Sequence, residues 1–498
     1  MTTLSRVFGL LRDVVIATLF GPGAGVDAFI VAFRIPNFLR RLFAEGGFSQ
    51  AFVPVLSEYK EQRSDKEVRA LLDETSASLG LVLFAVTVVG VLAAPILVYV
   101  FAPGFSGEPE KQLLAGDMLR ITFPYILFIS LTAMAAGVLN TYGQFAVPAF
   151  TPVLLNLVLI SFAIWLAPQL AEPVQALAWA VLVAGVLQLL FQLPFLKRFG
   201  MLPRPGFKRD PDGVRRILKL MLPTLFAVSI TQINLLIDTV IASFLVSGSI
   251  SWLYFSDRLM EFPLGVFGVA LATVILPSLS KQHASGEQAQ YSATMDWALK
   301  LVFLIAIPAA LGLALLAGPM LTTLFQYRAF TAMDVEMSAQ SLVAYSLGLP
   351  AFIFIKILAS GFFSRQDTLS PVKIGVVAML SNVILNLLLV GPLAHAGLAL
   401  ATSLSAFINA GLLFFLLRRK DYYQPSTGWW RYLLKIVVAV SIMAVLLYST
   451  APVLETWLQW DVYHRAGNLL LWIGTGALVY FISLILLGIR PKQMTAPH

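Results

Sequence analysis

Residues 27–59 read DAFIVAFRIPNFLRRLFAEGGFSQAFVPVLSEY. The apolar content is that of a membrane helix, yet Arg34, Arg40, Arg41 and Glu45 sit among the phenylalanines and leucines. Pro36, Gly46, Gly47 and Pro54 predict a segment broken into short pieces. An ionised side chain at mid-bilayer costs roughly 2.5–3.5 kcal/mol even on lenient insertion scales. Such residues persist where they face a wet cavity or a charged ligand, and broken helices are tolerated in a bilayer only there. Snorkelling to one interface explains Arg40 and Arg41, but not Arg34 and Glu45 on either side of them. A polar cavity is therefore expected.

The rest of the chain fits a membrane setting. Of its 498 residues, 58% are hydrophobic and 12% charged, and the mean hydropathy is +0.84. A soluble domain carries about 25% charged residues, so the sequence predicts an all-α polytopic membrane protein. At ~20 apolar residues per crossing plus a short loop, the length allows about 14 transmembrane helices. The apolar runs are too long, and alternate too little, for a transmembrane barrel. With no cysteine, disulfides, thiolate metal sites and Cys nucleophiles are excluded. The opening MTTLSRVFGLLRD does not read as a cleavable signal, because Arg6, Arg12 and Asp13 interrupt its apolar run. A net charge of +8 would suggest nucleic acid in a soluble protein; here it speaks of topology. Lys60, Arg63, Lys66 and Arg69, the basic run from Lys197 to Lys219, and Arg418, Arg419 and Lys420 fall in alternate loops. The opposite loops offer little beyond Lys111, Arg328 and Arg465. The positive-inside rule then places both termini in the cytoplasm.

At 100° per residue, Ser5, Arg6, Gly9, Arg12 and Asp13 fall within about a 120° arc. Such a stripe faces a bundle interior, where Arg12 or Arg6 pairs with Asp13. Asn140 and Asn156 read as interhelical hydrogen-bonding points. The basic, Pro/Gly-bearing run after Lys197 looks like a linker between halves, and the halves repeat. DVVIAT (13–18), RIPNFL (34–39) and VPVLS (53–57) correspond to DTVIAS (238–243), RLMEFPL (258–264) and LPSLS (276–280), at an offset of about 224 residues. Six helices per unit make a parallel repeat. The expected organisation is an N-lobe at 1–198, a cytoplasmic linker at 199–216, a C-lobe at 217–420, and a C-terminal helix pair at 421–498.

In the second half, Ser251, Tyr254, Asp257, Arg258 and Glu261 form another polar arc, with the acids placed to hold the arginine. Arg34 and Arg258 are repeat-related and could face one cavity. Asp238, Asn382, Asn386 and Thr402 offer the oxygen ligands that suit a hard monovalent cation, if they meet; a protonated, hydrogen-bonded Asp238 is the competing reading. There is no P-loop, and His283, His395, His464 and His498 fall in loops or at the terminus, against a metal centre. Outside loops poor in paired acids speak against a metal-dependent transferase. Arginines in a cavity instead point to an anionic ligand, since Arg matches phosphate bidentately.

The stretches SRVFGLLRD, NFLRRLFAEGGFSQAFVPVLSEY, SDRLMEFPLGVFGVALATVILPSLS and FFSRQDTLSPVK resemble the bacterial MurJ (MviN) lipid II flippases of the multidrug/oligosaccharidyl-lipid/polysaccharide exporter superfamily. The resemblance runs nearly end to end. It implies two six-helix lobes around a cationic cavity and a C-terminal pair lining a lipid-facing groove. The implied substrate is the undecaprenyl-pyrophosphate-linked peptidoglycan precursor, moved from inner to outer leaflet by alternating access. The family's cavity residues fall on Arg6, Arg12, Asp13, Asp27, Arg40, Glu45, Asp257, Arg258 and Glu261. A sodium site found in some members falls on Asp238, Asn382, Asn386 and Thr402. No cofactor and no nucleic acid are expected; membrane lipids and cell-wall synthesis proteins are expected partners. Coupling is expected to Na+ or H+ and to the membrane potential. The rival readings are a cation-coupled exporter of drugs or of other lipid-linked oligosaccharides, a membrane transferase, and a scaffold of cell-wall assembly.

Overall fold

A computed structural model describes residues 2–41, 47–204, 206 and 211–489. Helices account for nearly all of them, and no strand occurs among the described residues. The chain divides into two compact units, Met1–Ser251 and Trp252–His498. The first holds α1 (Thr2–Phe20), α2 (Ala24–Arg40), α3 (Ser49–Gln62), α4 (Asp65–Leu92), α5 (Ala94–Phe101), α6 (Pro109–Thr122), α7 (Tyr125–Thr141), α8 (Ala146–Trp165), α9 (Gln175–Arg198) and α10 (Pro211–Ala242). The second begins within α11 (Ser249–Pro263). It continues through α12 (Val269–Ala284), α13 (Gln288–Leu315), α14 (Ala317–Phe325), α15 (Ala332–Phe363), α16 (Leu369–Arg419), α17 (Trp429–Thr450), α18 (Leu454–Gln459) and α19 (Val462–Leu486).

Among the described residues, ten helical stretches are long and apolar enough to cross a bilayer. The charges on α1 and the 17-residue length of α2 leave both outside that set. α16, with 51 residues, is far longer than one crossing. It turns at Ala394, whose φ of 47° and ψ of −129° are not helical. A Cβ on Gly397 would come within 2.3 Å of the Leu389 carbonyl oxygen, so only glycine lets the chain double back this closely.

Pro36 and Pro54 do not break their helices, contrary to the expectation from sequence; each lies inside one. Proline removes the N–H that would bond the carbonyl four residues earlier. For Pro36 that carbonyl is Ala32, and it accepts the Thr122 hydroxyl of α6 at 2.9 Å. The same solution recurs in the second unit. Pro308 lies inside α13, and the Leu304 carbonyl accepts the Tyr480 hydroxyl of α19 at 2.7 Å. A neighbouring helix thus re-satisfies the freed backbone group, as a bilayer requires. π-helical residues occur at 41 and 47–48 and span 264–268.

The first unit's core packs α3, α4, α7 and α9 around Phe52, Leu56, Leu71 and Met134. In the second unit, α13, α17 and α19 pack around Ile436, Met443 and Leu447.

Candidate functional site

The polar stripe of α1 packs on α8. Arg12 donates to Asp13 Oδ1 from Nε at 2.9 Å and from Nη2 at 2.7 Å, and its Nη1 donates to Asn156 Oδ1 at 3.1 Å. Asn156 Nδ2 in turn donates to the Ser5 carbonyl at 3.3 Å, so Asn156 is the interhelical point its isolation predicts. Gly9 leaves room for this amide: a Cβ there would lie 3.8 Å from Asn156 Nδ2. Asp13 is buried, the Arg12 side chain is 12% exposed, and Arg6 is exposed. Arg12 therefore combines a fixed orientation with partial access, as an anion-contacting group needs.

On α2, Arg34 donates to Thr239 Oγ1 of α10 at 2.6 Å, and Arg41, just past the helix, reaches Gln232 Oε1 at 3.4 Å. Arg40 Nε donates to Asn37 Oδ1 at 2.8 Å. Asp27 differs from these because it is fully enclosed. It accepts from Gly248 N at 2.7 Å, Ser251 N at 2.9 Å, Ser251 Oγ at 2.6 Å and Lys111 Nζ at 3.2 Å. Lys111 also donates to Ser247 Oγ at 2.7 Å and lies 4.3 Å from the Phe105 ring centroid. With both partners buried and bonded, this is a structural ion pair in the described geometry. Glu45 lies outside the described residues.

In the second unit, Arg258 donates to Glu261 Oε2 at 2.7 Å and its guanidinium lies 4.8 Å from the Tyr254 ring centroid. Its side chain is 35% exposed. Asp257 occupies the preceding position on the helix. Asn386 Nδ2 donates to Asn382 Oδ1 at 2.9 Å, and Asn382 Nδ2 to Thr402 Oγ1 at 3.4 Å. Buried Asn382 and Asn386 and half-buried Thr402 thus form one polar cluster across the turn of α16, whereas Asp238 stands on α10 of the first unit. Among the described residues, no group of three or more His, Cys, Asp or Glu is gathered to hold a metal. His395 is not in an exposed loop; it is buried just past the α16 turn, its Nε2 2.9 Å from the Met337 carbonyl oxygen.

Sequence reading passed over four buried charges, Lys111, Asp296, Asp334 and Arg465, of which Asp334 accepts from Trp252 Nε1 at 2.8 Å. Lys111 and Arg465 read as loop cations, yet both are buried. Arg465 donates to the carbonyls of Trp457, Leu458 and Gln326 at 3.0, 2.9 and 3.1 Å, fastening α19 to α14 and α18. Asp296 gathers Tyr423, Ser426 and Trp429 at 2.6, 2.5 and 2.7 Å, with Lys300 at 2.6 Å. Burial first, and then the hydrogen bond to Asp296, push the Tyr423 hydroxyl pKa up. The helical spacing of Asp296 and Lys300 was the available signal.

The apolar helical spans fit a multi-pass membrane protein, and the family matches below make it a transporter, not an enzyme. A family profile described as "Lipid II flippase MurJ" matches residues 16–465, and the chain belongs to that family. A probable lipid II flippase MurJ of Vibrio cholerae is 47% identical, over all of this chain and 96% of that protein. One from Haemophilus influenzae is 46% identical, over 99% of each. A solved lipid II flippase MurJ in an inward closed conformation is 29% identical, with a TM-score of 0.81, over 97% of this chain and 96% of that one. A multidrug resistance MATE family transporter of the MOP superfamily, at 15% identity and TM-score 0.70, covers 84% of this chain and 94% of its own and shares the fold alone.

Proposed function

We propose that the chain carries lipid II, the undecaprenyl-pyrophosphate-linked disaccharide-peptide, from the inner to the outer leaflet of the bacterial cytoplasmic membrane. Arg12, held by Asp13 and Asn156 yet partly accessible, is the observation that carries this reading. A guanidinium oriented in that way meets a pyrophosphate bidentately without first being desolvated from scratch. Arg6, Arg34, Arg40, Arg41 and Arg258 supply further positive charge, with Asp13, Glu45, Asp257 and Glu261 tempering it, while Asp27 is taken up by Lys111. Alternating access moves the head group while the polyprenyl chain stays in lipid beside α17 and α19. Asp238, Asn382, Asn386 and Thr402 are the groups proposed to couple a monovalent cation. The membrane potential adds about 2.3 kcal/mol per charge per 100 mV. Both termini lie in the cytoplasm, by the positive-inside rule.

The test is transbilayer movement of labelled lipid II in proteoliposomes, with and without an imposed potential. Wild type is expected to move it, and Arg12→Ala and Arg258→Ala to fail while remaining folded. Normal movement by either variant removes that arginine from the transport path. No movement by folded wild type under any gradient rejects the flippase reading.

A further inference from the structure

The first unit carries a groove of about 670 Å³ lined by none of the residues proposed for transport. Ala77 and Gly80 of α4, Met134 and Ala135 of α7, and Leu193 and Leu196 of α9 line it. Leu81 and Phe84 stand at its lip, each 58% exposed. A Cβ built on Gly80 meets nothing within 4 Å, so the missing side chain opens space that no neighbour fills. The volume lies within the ~300–1,000 Å³ of ligand pockets. Ser76 is the polar exception in the lining, and its hydroxyl is already given to the Asp73 carbonyl at 2.9 Å. An aliphatic chain fits such walls.

One end of the groove is charged. Arg69, Asp73, Ser76, Gly80 and Phe84 recur at helical spacing, so they share one face of α4. Leu202 and Pro203 line the groove at this end, and the next residue, Arg204, has its backbone N–H held by Asp73 Oδ1 at 2.6 Å. A Cβ on Gly200 would come within 2.8 Å of Arg69 Nη2, which places that guanidinium against the same turn. Lys197 and Arg198 follow Leu196 at the end of α9, both exposed. Four cations, Arg69, Lys197, Arg198 and Arg204, thus stand at this end, with Asp65, Asp73 and Glu74 the acids on the adjoining turns of α4. Basic groups at the end of an apolar cleft between membrane helices are the chemistry that retains anionic lipid head groups.

We propose that this groove binds an anionic glycerophospholipid of the leaflet on its basic side, distinct from the transported lipid. One acyl chain lies along Gly80, and the phosphate lies among Arg69, Arg198 and Arg204. The test is native mass spectrometry of the full chain with phosphatidylglycerol or with phosphatidylcholine. Wild type is expected to retain phosphatidylglycerol severalfold over phosphatidylcholine. Gly80→Leu fills the cleft while favouring the helix, and should lower retention of phosphatidylglycerol severalfold. Arg69→Gln with Arg204→Gln, both at the surface, should abolish the preference and leave phosphatidylcholine retention unchanged. Equal retention of the two lipids by wild type, or unchanged phosphatidylglycerol retention in Gly80→Leu, overturns the proposal. So does displacement of phosphatidylglycerol by undecaprenyl phosphate, which would make the groove part of the substrate path.

Discussion

Asp27 shows what a carboxylate needs in order to be buried in such a protein. Four donors surround it, three of them from residues 248–251 and one from Lys111. Removing one member of a buried pair costs about 3–5 kcal/mol when the other charge is left uncompensated. The two partners here are not equally dependent. Asp27 without Lys111 keeps three hydrogen bonds, whereas Asp27→Leu strands two backbone N–H groups and a hydroxyl and leaves the ammonium with Ser247 and Glu108 alone. Asp27→Leu is therefore expected to destabilise by about 3–5 kcal/mol, and Lys111→Met by about 1–3 kcal/mol. Unfolding of both variants and of the double mutant in detergent measures the coupling. Equal losses for the two single variants contradict the asymmetry.

Proline inside a bilayer helix is usually described as a kink, but in α2 and α13 its consequence is a contact. Thr122 and Tyr480 each give a hydroxyl to the carbonyl that a proline released. Thr122→Val and Tyr480→Phe keep the shape and orphan a buried acceptor, at an expected cost of about 1–3 kcal/mol each. In Pro36→Ala and Pro308→Ala backgrounds, where the helix N–H can return, the same substitutions should cost less. Thermal unfolding of the single and paired variants checks this.

The end of α16 offers an ionic counterpart. Burial disfavours the charged form of Asp367, but hydrogen bonds from Lys420 at 2.7 Å and from Ser370 outweigh it and hold the carboxyl below its ordinary value of 3.8. A carboxylate depressed in the fold stabilises it above the unfolded value and loses that contribution as pH falls through the folded one. The drop in Tm on going from neutral pH to below 3.8 should thus be smaller in Asp367→Asn than in wild type.

Over the whole molecule, what composition and period determine could be read from the chain, and what side-chain contacts determine could not. Helicity, membrane residence and the charged stripe of α1 followed from patterns local in sequence. The Arg12–Asp13 and Arg258–Glu261 pairs are likewise within one turn of helix. The Asp27–Lys111 pair spans 84 residues and the Pro308–Tyr480 arrangement more, and no periodicity announces such partners. Reading Lys111 and Arg465 as loop cations failed because a loop position says nothing about burial. The same two residues bear on topology. Once removed from the loops opposite the basic ones, they leave that side poorer in exposed cations, which sharpens the charge asymmetry.

The asymmetry is directly testable because the chain has no cysteine to mask. Lys66, Glu110, Arg328 and Arg419 are all exposed, so single cysteines there report side without disturbing the core. A membrane-impermeant maleimide should label Glu110→Cys and Arg328→Cys in intact spheroplasts. Lys66→Cys and Arg419→Cys should label only after permeabilisation. Labelling of Lys66→Cys and Arg419→Cys but not of Glu110→Cys and Arg328→Cys in intact spheroplasts would mean that the positive charges do not set the orientation, and would place the basic end of the groove beside α4 in the outer leaflet.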